Sequence, residues 1–363
     1  MNKKKLIAVI ATVATVATLF AGCGSKTDSS TKTGDKDTKK TDVKVGLSTD
    51  KGGRGDKSFN DAAIAGLDKI QKEYGVTPDI LEAKKQEDYE PYLTNLAGQD
   101  DLIFGVGFAM QQAIDNVSKA QSTKKFAIID AEVKNPNVVS ISFKEQEGSF
   151  LMGVIAGKTT KTNKIGFIGG VDMALIQKFE AGFAAGVKSV NPAAAEDLLS
   201  RKNVVYTGAF DDTQKGGEAA KKLYNAGCDV IFHASGACGI GLLDEAHKER
   251  AAGKDVWAIG VDIDQAISLP ADADAILSSM VKRVDNATYD VTKSVIDNTF
   301  AGGTTKVFGL KEKGVGMAET TKNNTKADVV DLANKYSDAI IAGTIVVPDT
   351  LDAAKTFKPV DVK

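Results

Sequence analysis

The chain has 363 residues, of which 46 are lysine or arginine and 48 are aspartate or glutamate, so its net charge is −2 at neutral pH. Proteins that bind nucleic acid usually carry a basic stripe, and this balance argues against such a partner. With only two histidines and three cysteines in the sequence, there is no Cys/His cluster for a zinc site and no set of residues for a histidine-based triad.

The N-terminus has the pattern of an export signal. Met1–Lys5 is basic, and Leu6–Phe20 is an uncharged run that is shorter than the roughly 20 apolar residues of a membrane span. Ala21 and Gly22 lead into Cys23, and this order resembles a bacterial lipoprotein signal. The resemblance implies a signal peptide over residues 1–22 and lipidation of Cys23. An ordinary secretory signal and a short anchor helix are the alternatives.

Residues 24–42 contain only glycine, serine, threonine, lysine and aspartate. Such a segment cannot bury enough apolar surface to offset its conformational entropy, so we expect it to be disordered. Directly after a lipidated Cys23, segment 23–42 would tether a folded body to the membrane surface. A glyceryl-linked and an amide-linked acyl chain would provide the two lipid signals that stable anchoring needs.

Short β-branched runs and helical patterns alternate along the rest of the chain. The predicted strands are Val43–Thr49, Asp101–Gly107, Phe126–Asp130, Val138–Phe143, Ile165–Gly170, Val204–Phe210, Val230–Ser235, Val256–Asp262 and Ile276–Val281. Between them, apolar residues recur at three- and four-residue steps, as over 59–74, 111–120, 148–156, 179–190, 216–225 and 240–251. This alternation predicts an α/β fold of parallel sheets with helices on both faces.

About ten strands are too many for one compact sheet, so we predict two doubly wound lobes with a cleft between them. The first lobe is expected over 43–144 and to be completed by about 275–302. The second is expected over 145–270 and to be completed by about 303–363. In sheets of this kind, ligands bind beyond the carboxyl ends of the strands.

Two cysteines and one histidine lie in or beside a predicted strand. Cys228 and Cys238 flank a strand of about 20 Å, which is too long for the roughly 7 Å between the Cα atoms of a disulfide, so we expect both to be unbridged. His233 lies within the apolar run Val230–Ala234, where a hydrogen-bonded core histidine is expected rather than a ligand.

Polar and aromatic residues are found where the predicted strands end. An aspartate that follows a strand is by itself more often a helix cap than a ligand. Here, however, several such residues point to one cleft. They are Asp50, Phe59, Asn60, Asp130, Phe210, Gly236, Asp262 and Lys282.

This set, in this order, resembles the basic membrane protein family of bacterial substrate-binding lipoproteins, in particular its purine nucleoside receptors. The resemblance covers nearly the whole body and is most specific at Asp50 with Lys57–Asn60, Asp130, Gly260–Asp262 and Lys282. It implies a fold like that of type I periplasmic binding proteins. The lobe order and the Asp262-to-Lys282 spacing are also similar to those of ribose-type sugar-binding proteins.

The resemblance implies a role for each of these positions. Phe59 and Phe210 would sandwich a purine ring, while Asp50 and Asn60 would hydrogen-bond to the edge of the base. Ribose hydroxyls would be held by Asp130, Asp262, Lys282 and the backbone of Gly236, and Phe179 would line the wall. A site with three carboxylates and one cation favours nucleosides over nucleotides. No cofactor and no metal is expected.

The leading hypothesis is therefore a binding protein that captures a purine nucleoside outside the membrane and presents it to an ATP-binding-cassette (ABC) permease. A sugar or signal receptor of the same fold is the alternative from the same class. A nucleoside hydrolase using Asp50, Asp130 and Asp262 as acid or base is a third possibility. A surface or adhesion protein is the fourth, and it predicts a solid surface without a cleft.

Overall fold

The structure, a computed structural model, describes residues 41–362. The predicted signal peptide 1–22, Cys23 and the tether up to residue 40 lie outside the described residues. Within residues 41–362 no helix is both long enough and apolar enough to cross a bilayer.

The described residues form twelve strands and thirteen α-helices. The strands are β1 Val45–Thr49, β2 Asp79–Glu82, β3 Leu102–Val106, β4 Lys125–Ile129, β5 Val138–Phe143, β6 Ile165–Gly169, β7 Val204–Tyr206, β8 Val230–Ala234, β9 Trp257–Asp262, β10 Ile276–Lys282, β11 Thr304–Phe308 and β12 Val315–Met317. The helices are α1 Phe59–Tyr74, α2 Tyr89–Gln99, α3 Gln111–Ala120, α4 Glu145–Thr159, α5 Ala174–Val190, α6 Pro192–Leu199, α7 Thr213–Asn225, α8 Cys238–Ala251, α9 Gln265–Ser268, α10 Val284–Ile296, α11 Thr321–Asn324, α12 Ala327–Ile341 and α13 Leu351–Thr356.

The strands form two six-stranded sheets, one in each lobe. The first has the order β11-β5-β4-β3-β1-β2, and all its pairs are parallel. The second has the order β12-β10-β9-β8-β6-β7 and is parallel except for β12, which pairs antiparallel with β10. The predicted fold class, two doubly wound parallel-sheet lobes, is confirmed.

The central strands are apolar because helices cover both faces of each sheet. In β1, β3, β6 and β8 every residue is buried, which is typical of parallel strands rather than of half-exposed antiparallel ones. Helices α4 and α5 pack closely at glycines. A Cβ atom at Gly186 would lie 2.0 Å from the carbonyl oxygen of Phe150, so the close approach of the two backbones requires glycine there.

The chain crosses between the two lobes three times. It leaves the first sheet after β5 and enters α4, which packs against α5 of the second lobe. It returns after β10 into α10, whose Thr288 Oγ1 donates a hydrogen bond to the carbonyl oxygen of Ala63 in α1 at 3.0 Å. After β11 it crosses again to β12.

The topology corrects the predicted completion of the lobes. We expected 275–302 to return to the first lobe, but β10 belongs to the second sheet because it pairs in parallel with β9. We expected 303–363 to complete the second lobe, but β11 belongs to the first sheet because it pairs in parallel with β5. Only α10 and β11 therefore return to the first lobe.

Several local expectations were also changed. The nine runs predicted as strands do not include β2, β11 or β12, and the predicted strand 204–210 ends at Tyr206. Residues 145–148, which follow the predicted lobe boundary at 144, begin α4. Cys228 and Cys238 are buried and free, as expected.

Candidate functional site

A cleft lies at the carboxyl ends of the strands of both sheets. Its empty space is about 610 Å³, including the part open to solvent, which falls within the range of small-molecule sites. All nine residues predicted for ligand binding line it. They are Asp50, Phe59, Asn60, Asp130, Phe179, Phe210, Gly236, Asp262 and Lys282. Their proximity follows from the topology, because every one stands at or just after a strand end or on the helix that follows it.

One end of the cleft is organised by hydrogen bonds around Asp50, the residue after β1. Asp50 Oδ1 accepts from Asn60 Nδ2 and from the backbone N–H of Gly52, both at 2.8 Å. Its Oδ2 accepts no hydrogen bond from any residue in 41–362 and is near Gly107, where a Cβ atom would lie 3.5 Å from it. This oxygen is the one that Asp50 can offer to a ligand.

Asn60 can form fewer hydrogen bonds with a ligand than the sequence predicts. Its amide Nδ2 donates to Asp50 Oδ1 at 2.8 Å and to Asp56 Oδ2 at 3.0 Å, and a carboxamide has only two such hydrogens. Its Oδ1 accepts from the backbone N–H of Asp50 at 3.2 Å. Asn60 therefore orients Asp50 and retains only an acceptor lone pair for a base.

Asp56 is a lining residue that the sequence analysis missed. Its two oxygens accept from the backbone N–H groups of Ser58, Asn60 and Asp61 at 2.7–3.1 Å. N–H groups at the start of a helix have no acceptor within the helix, so by accepting from them Asp56 caps α1, which carries Phe59 and Asn60. An aspartate two residues before Ser58 and a helical pattern was the available signal.

The aromatic residues of the cleft come from both lobes. Phe59 begins α1 in the first lobe, whereas Phe210 follows β7 in the second. Gly170, which follows β6, leaves room for the Phe210 ring, because a Cβ atom there would lie 2.1 Å from it. Phe108 was missed by the sequence analysis and meets Phe210 edge to face, with ring centroids 6.2 Å apart.

Asp130 and Asp262 occupy equivalent places in the two sheets. Asp130 follows β4 and Asp262 ends β9, and these are the third strands of their sheets in the order given above. Both residues have left-handed backbones, with φ of 65° and 66°, which aspartate tolerates better than most residues. Strain of this kind concentrates at binding sites. Asp130 Oδ1 is buried and has no hydrogen-bond partner within the described residues.

Lys282, the last residue of β10, lies between these carboxylates. Its Nζ is 2.6 Å from Asp130 Oδ2 and 3.2 Å from Glu145 Oε1. Burial by itself would lower the pKa of Lys282, but the neighbouring carboxylates Asp130, Glu145 and Asp262 outweigh burial and raise it. Lys282 therefore carries a positive charge at neutral pH.

Three lining carboxyl groups, those of Asp50, Asp56 and Asp262, have pKa values that burial raises. Burial raises the pKa of Asp50 to about 6, against the opposing hydrogen bonds from Asn60 and Gly52. Burial also raises the pKa of Asp262 to about 7, although Lys282 and Ser58 favour its charged form. The cleft therefore changes its charge between about pH 5 and pH 8.

The lobes touch at contacts that lie beside the cleft. Ser58 Oγ donates to Asp262 Oδ2 across the lobes. Gln265 Nε2 donates to the backbone oxygen of Lys57 at 2.9 Å. Gln265 is held in the second lobe because its Oε1 accepts from His233 Nε2 at 2.9 Å. At the rim, Lys51 and Asp211 form an ion pair at 3.2 Å.

His233 is a core residue, as predicted from its apolar strand. Burial lowers its pKa to about 4, so the ring is neutral at physiological pH. Because Nε2 donates to Gln265, Nδ1 can accept from Ser235 Oγ at 3.2 Å. His233 thus supports the contact between the lobes and does not line the cleft.

The acceptor oxygens of the cleft suit a ligand that has hydroxyl and N–H groups. Carboxylate oxygens accept from such groups, and charged acceptors form the stronger bonds. Within residues 41–362 no group of three or more histidine, cysteine, aspartate or glutamate side chains is arranged to hold a metal ion.

Comparisons with known proteins agree with this geometry. Residues 43–350 match the family model described as ABC transporter substrate-binding protein, PnrA-like (Bmp). The chain is 39% identical to the CD4+ T-cell-stimulating antigen of Listeria innocua, over 96% of this chain and 99% of that relative. It is 34% identical to the ABC transporter nucleoside-binding protein BmpA of Lactococcus lactis, over 95% of this chain and 99% of the relative.

A solved structure shows the same fold. The solute-binding protein of an ABC transporter system from Aeropyrum pernix is 29% identical and superimposes with a TM-score of 0.76, covering 86% of this chain and 96% of that one. The resemblance to the basic membrane protein family is therefore confirmed. The chain belongs to the PnrA-like (Bmp) family of ABC transporter substrate-binding proteins.

Proposed function

We propose that this substrate-binding protein captures purine nucleosides at the extracytoplasmic face of a bacterial membrane, to which Cys23 anchors it by lipid. The single observation that carries the proposal is the composition of the cleft. Phenylalanines from both lobes line it, among them Phe59 and Phe210, and acceptor oxygens of Asp50 and Asp130 line the same cleft.

Phe59 and Phe210 supply the surface for a flat ring. Aromatic faces bury a large apolar area and favour offset stacking. Because the two rings belong to different lobes, a base between them would hold the lobes together. A planar ligand thus gains affinity from closure, as expected of a two-lobed receptor.

The edge of the base would meet Asp50 Oδ2 and Asn60 Oδ1. Both oxygens accept when Asp50 is ionised, so this end of the cleft suits N–H groups such as those on a 6-oxopurine edge. Burial raises the pKa of Asp50 to about 6. Under mildly acidic conditions the protonated carboxyl group can therefore donate a hydrogen bond to the base. The base preference is therefore expected to depend on pH.

The sugar would lie toward Asp130, Asp262 and Lys282. The unpartnered Oδ1 of Asp130 requires a donor, because leaving a buried polar atom unsatisfied costs about 1–3 kcal/mol. A ribose hydroxyl is such a donor. The BmpA relative is named a nucleoside-binding protein, which also supports a nucleoside ligand for this chain.

A pentose alone is the alternative ligand, because hydroxyl groups would satisfy Asp130 and Asp262 without a base. Phe59 and Phe210 can stack on a sugar ring as well as on a base, but the paired polar edge of Asp50 and Asn60 suits a base better than a sugar. It is retained as an outcome of the experiment below. Catalysis by the same carboxylates would release free base from inosine, and we expect none.

A thermal-shift screen tests the proposed ligand. The purified protein is heated with purine nucleosides, free bases, nucleotides and pentoses. A ligand at 100 times its dissociation constant adds about 2.7 kcal/mol of stability, so nucleosides should shift the melting temperature clearly. A shift with pentoses alone would favour the sugar receptor, and no shift with any nucleoside would contradict the proposal.

Membrane anchoring is tested by the Cys23→Ser variant. Without the thiol no acyl-glyceryl group can be attached, so the protein should move from the membrane fraction to the soluble extracytoplasmic fraction. Nucleoside affinity should stay unchanged, because the cleft lies in the part that follows the tether. Retention of the variant in the membrane fraction would show that something other than lipid at Cys23 holds it.

A further inference from the structure

Lys282 is held in place at the crossings between the lobes. It ends β10 at the second crossing, and its side chain is only 2% exposed. Its Nζ lies 5.0–5.7 Å from the ring centroids of Phe59, Phe143 and Phe179. An ammonium on a flexible four-carbon stem has no preferred geometry of its own, so its position depends on its partners.

Glu145 is one of those partners and has no other evident use. It is the first residue of α4 at the first crossing, and it is fully buried. Its Oε1 lies 3.2 Å from Lys282 Nζ, and its Oε2 lies 3.6 Å from Lys178 Nζ. Glu145 is behind Lys282 and does not line the cleft. It can therefore reach a ligand only through the lysine.

The donors of Lys282 can be counted. An ammonium has three N–H groups. One is directed to Asp130 Oδ2 at 2.6 Å. Glu145 Oε1 attracts the ammonium as an ion pair at 3.2 Å, but neither oxygen of Glu145 accepts a hydrogen bond within the described residues. The ammonium therefore keeps N–H groups for a ligand in the cleft, beside the unpartnered Asp130 Oδ1. Removing Glu145 would leave the position of the lysine to Asp130 and Asp262.

We propose that Glu145 is the positioning residue for Lys282, and that it fixes the lysine to read a hydroxyl group of the bound sugar. Glu145 belongs to the first crossing and Lys282 to the second, so their ion pair also ties two crossings together. Bending between the lobes and binding of the sugar thus involve the same pair of charges. The ligand part of this assignment rests on the proposed nucleoside function.

The first arm of the test compares affinities for inosine and for its free base, hypoxanthine, by calorimetry. Glu145→Gln keeps the shape and removes the charge. It should weaken inosine binding by about tenfold, the value of one charge-assisted hydrogen bond, and leave hypoxanthine binding within error. Equal losses for both ligands, or no loss, would overturn the assignment, because a merely structural defect does not distinguish the ribose.

Asp229→Asn is the matched control for this arm. Asp229 is a buried carboxylate of the second lobe. It directly precedes β8, at the end of that strand away from the cleft, and accepts hydrogen bonds from Thr160, Lys161 and Thr162. Its loss should lower stability without changing the ratio of the two affinities. A changed ratio in this control would mean that the ratio reports general destabilisation, and the assignment would fail.

The second arm needs no ligand. Urea midpoints are measured for Glu145→Gln in the wild-type background and in the Lys282→Met background. Without Lys282, the buried carboxylates of Asp130 and Glu145 lose their shared partner, and Glu145 keeps only Lys178 at 3.6 Å. Glu145→Gln should therefore raise the midpoint there, whereas it lowers or barely changes the wild-type midpoint. The same change in both backgrounds would overturn the pairing.

The two arms separate two kinds of failure. A wild-type protein that binds no nucleoside would contradict the proposed function, whereas additive midpoints would contradict the role of Glu145. If the single Glu145→Gln variant does not fold, the comparison of Lys282→Met with the double variant still decides. In that pair, an unchanged or lower midpoint on removing Glu145 would contradict the assignment.

Discussion

Replacing Phe210 with alanine is expected to weaken purine nucleoside binding by about 10- to 100-fold, because stacking of one base on one aromatic ring contributes about 1–3 kcal/mol. Phe210 lines the cleft from the second lobe, and its ring lies against Gly170. Its ring meets Phe108 of the first lobe, so the variant also loses a contact that favours closure. Both losses reduce affinity, and calorimetry with inosine measures their sum.

The conservative variant Phe210→Tyr is the control. It keeps a ring of similar size and therefore should retain most of the affinity. Pentose binding, if any can be measured, should be affected much less than nucleoside binding in Phe210→Ala. If Phe210→Ala binds every nucleoside with wild-type affinity, Phe210 does not stack on the ligand and the second-lobe assignment is wrong.

The fold could be predicted from the sequence because its signals are local. Alternating β-branched runs and helical spacing identify βαβ units, and the strand ends then point to one cleft. The lobe membership of β10 and β11 could not be predicted in the same way. The sheet that each strand joins depends on its pairing, β10 with β9 and β11 with β5. The residues of β10 and β11 do not by themselves indicate which strand they pair with.

The site residues were similarly easy or hard to predict for physical reasons. Eight of the nine predicted lining residues have polar or aromatic side chains and stand at strand ends or on the helix that follows, where the pattern is visible. Glu145 was missed because it stands in a polar run that resembles a linker, while in the structure it is fully buried against Lys282. Burial of a charge depends on tertiary packing. The saturation of the Asn60 amide by Asp50 and Asp56 was missed for the same reason.

Replacing Asp262 is the second change for which we expect a large effect, because it should change protein stability and inosine affinity in opposite directions. Burial raises its pKa from the ordinary 3.8 to about 7 in the folded protein. Between those pH values the unfolded chain has released the proton and the folded chain still holds it. The unfolded state therefore binds fewer protons, so the free energy of unfolding falls as pH rises from about 4 to 7.

Asp262→Asn should remove this part of the pH dependence. At pH 8 the variant should be as stable as the wild type or more stable, because it no longer holds a buried charge. At the same pH its affinity for inosine should fall by about 10- to 100-fold, since a hydrogen bond to a charged group contributes about 1.5–3 kcal/mol. Urea unfolding at pH 5 and pH 8, combined with calorimetry, measures both effects.

Asp100→Asn separates these two effects. Asp100 is a buried carboxyl group at the end of α2, outside the cleft, and burial raises its pKa to about 6. Its replacement should also flatten the stability curve with pH but leave the affinity for inosine unchanged. If Asp262→Asn likewise leaves that affinity unchanged, or weakens hypoxanthine as much as inosine, Asp262 does not hold the ribose. The raised pKa of Asp262 would then reflect only its burial between two touching lobes.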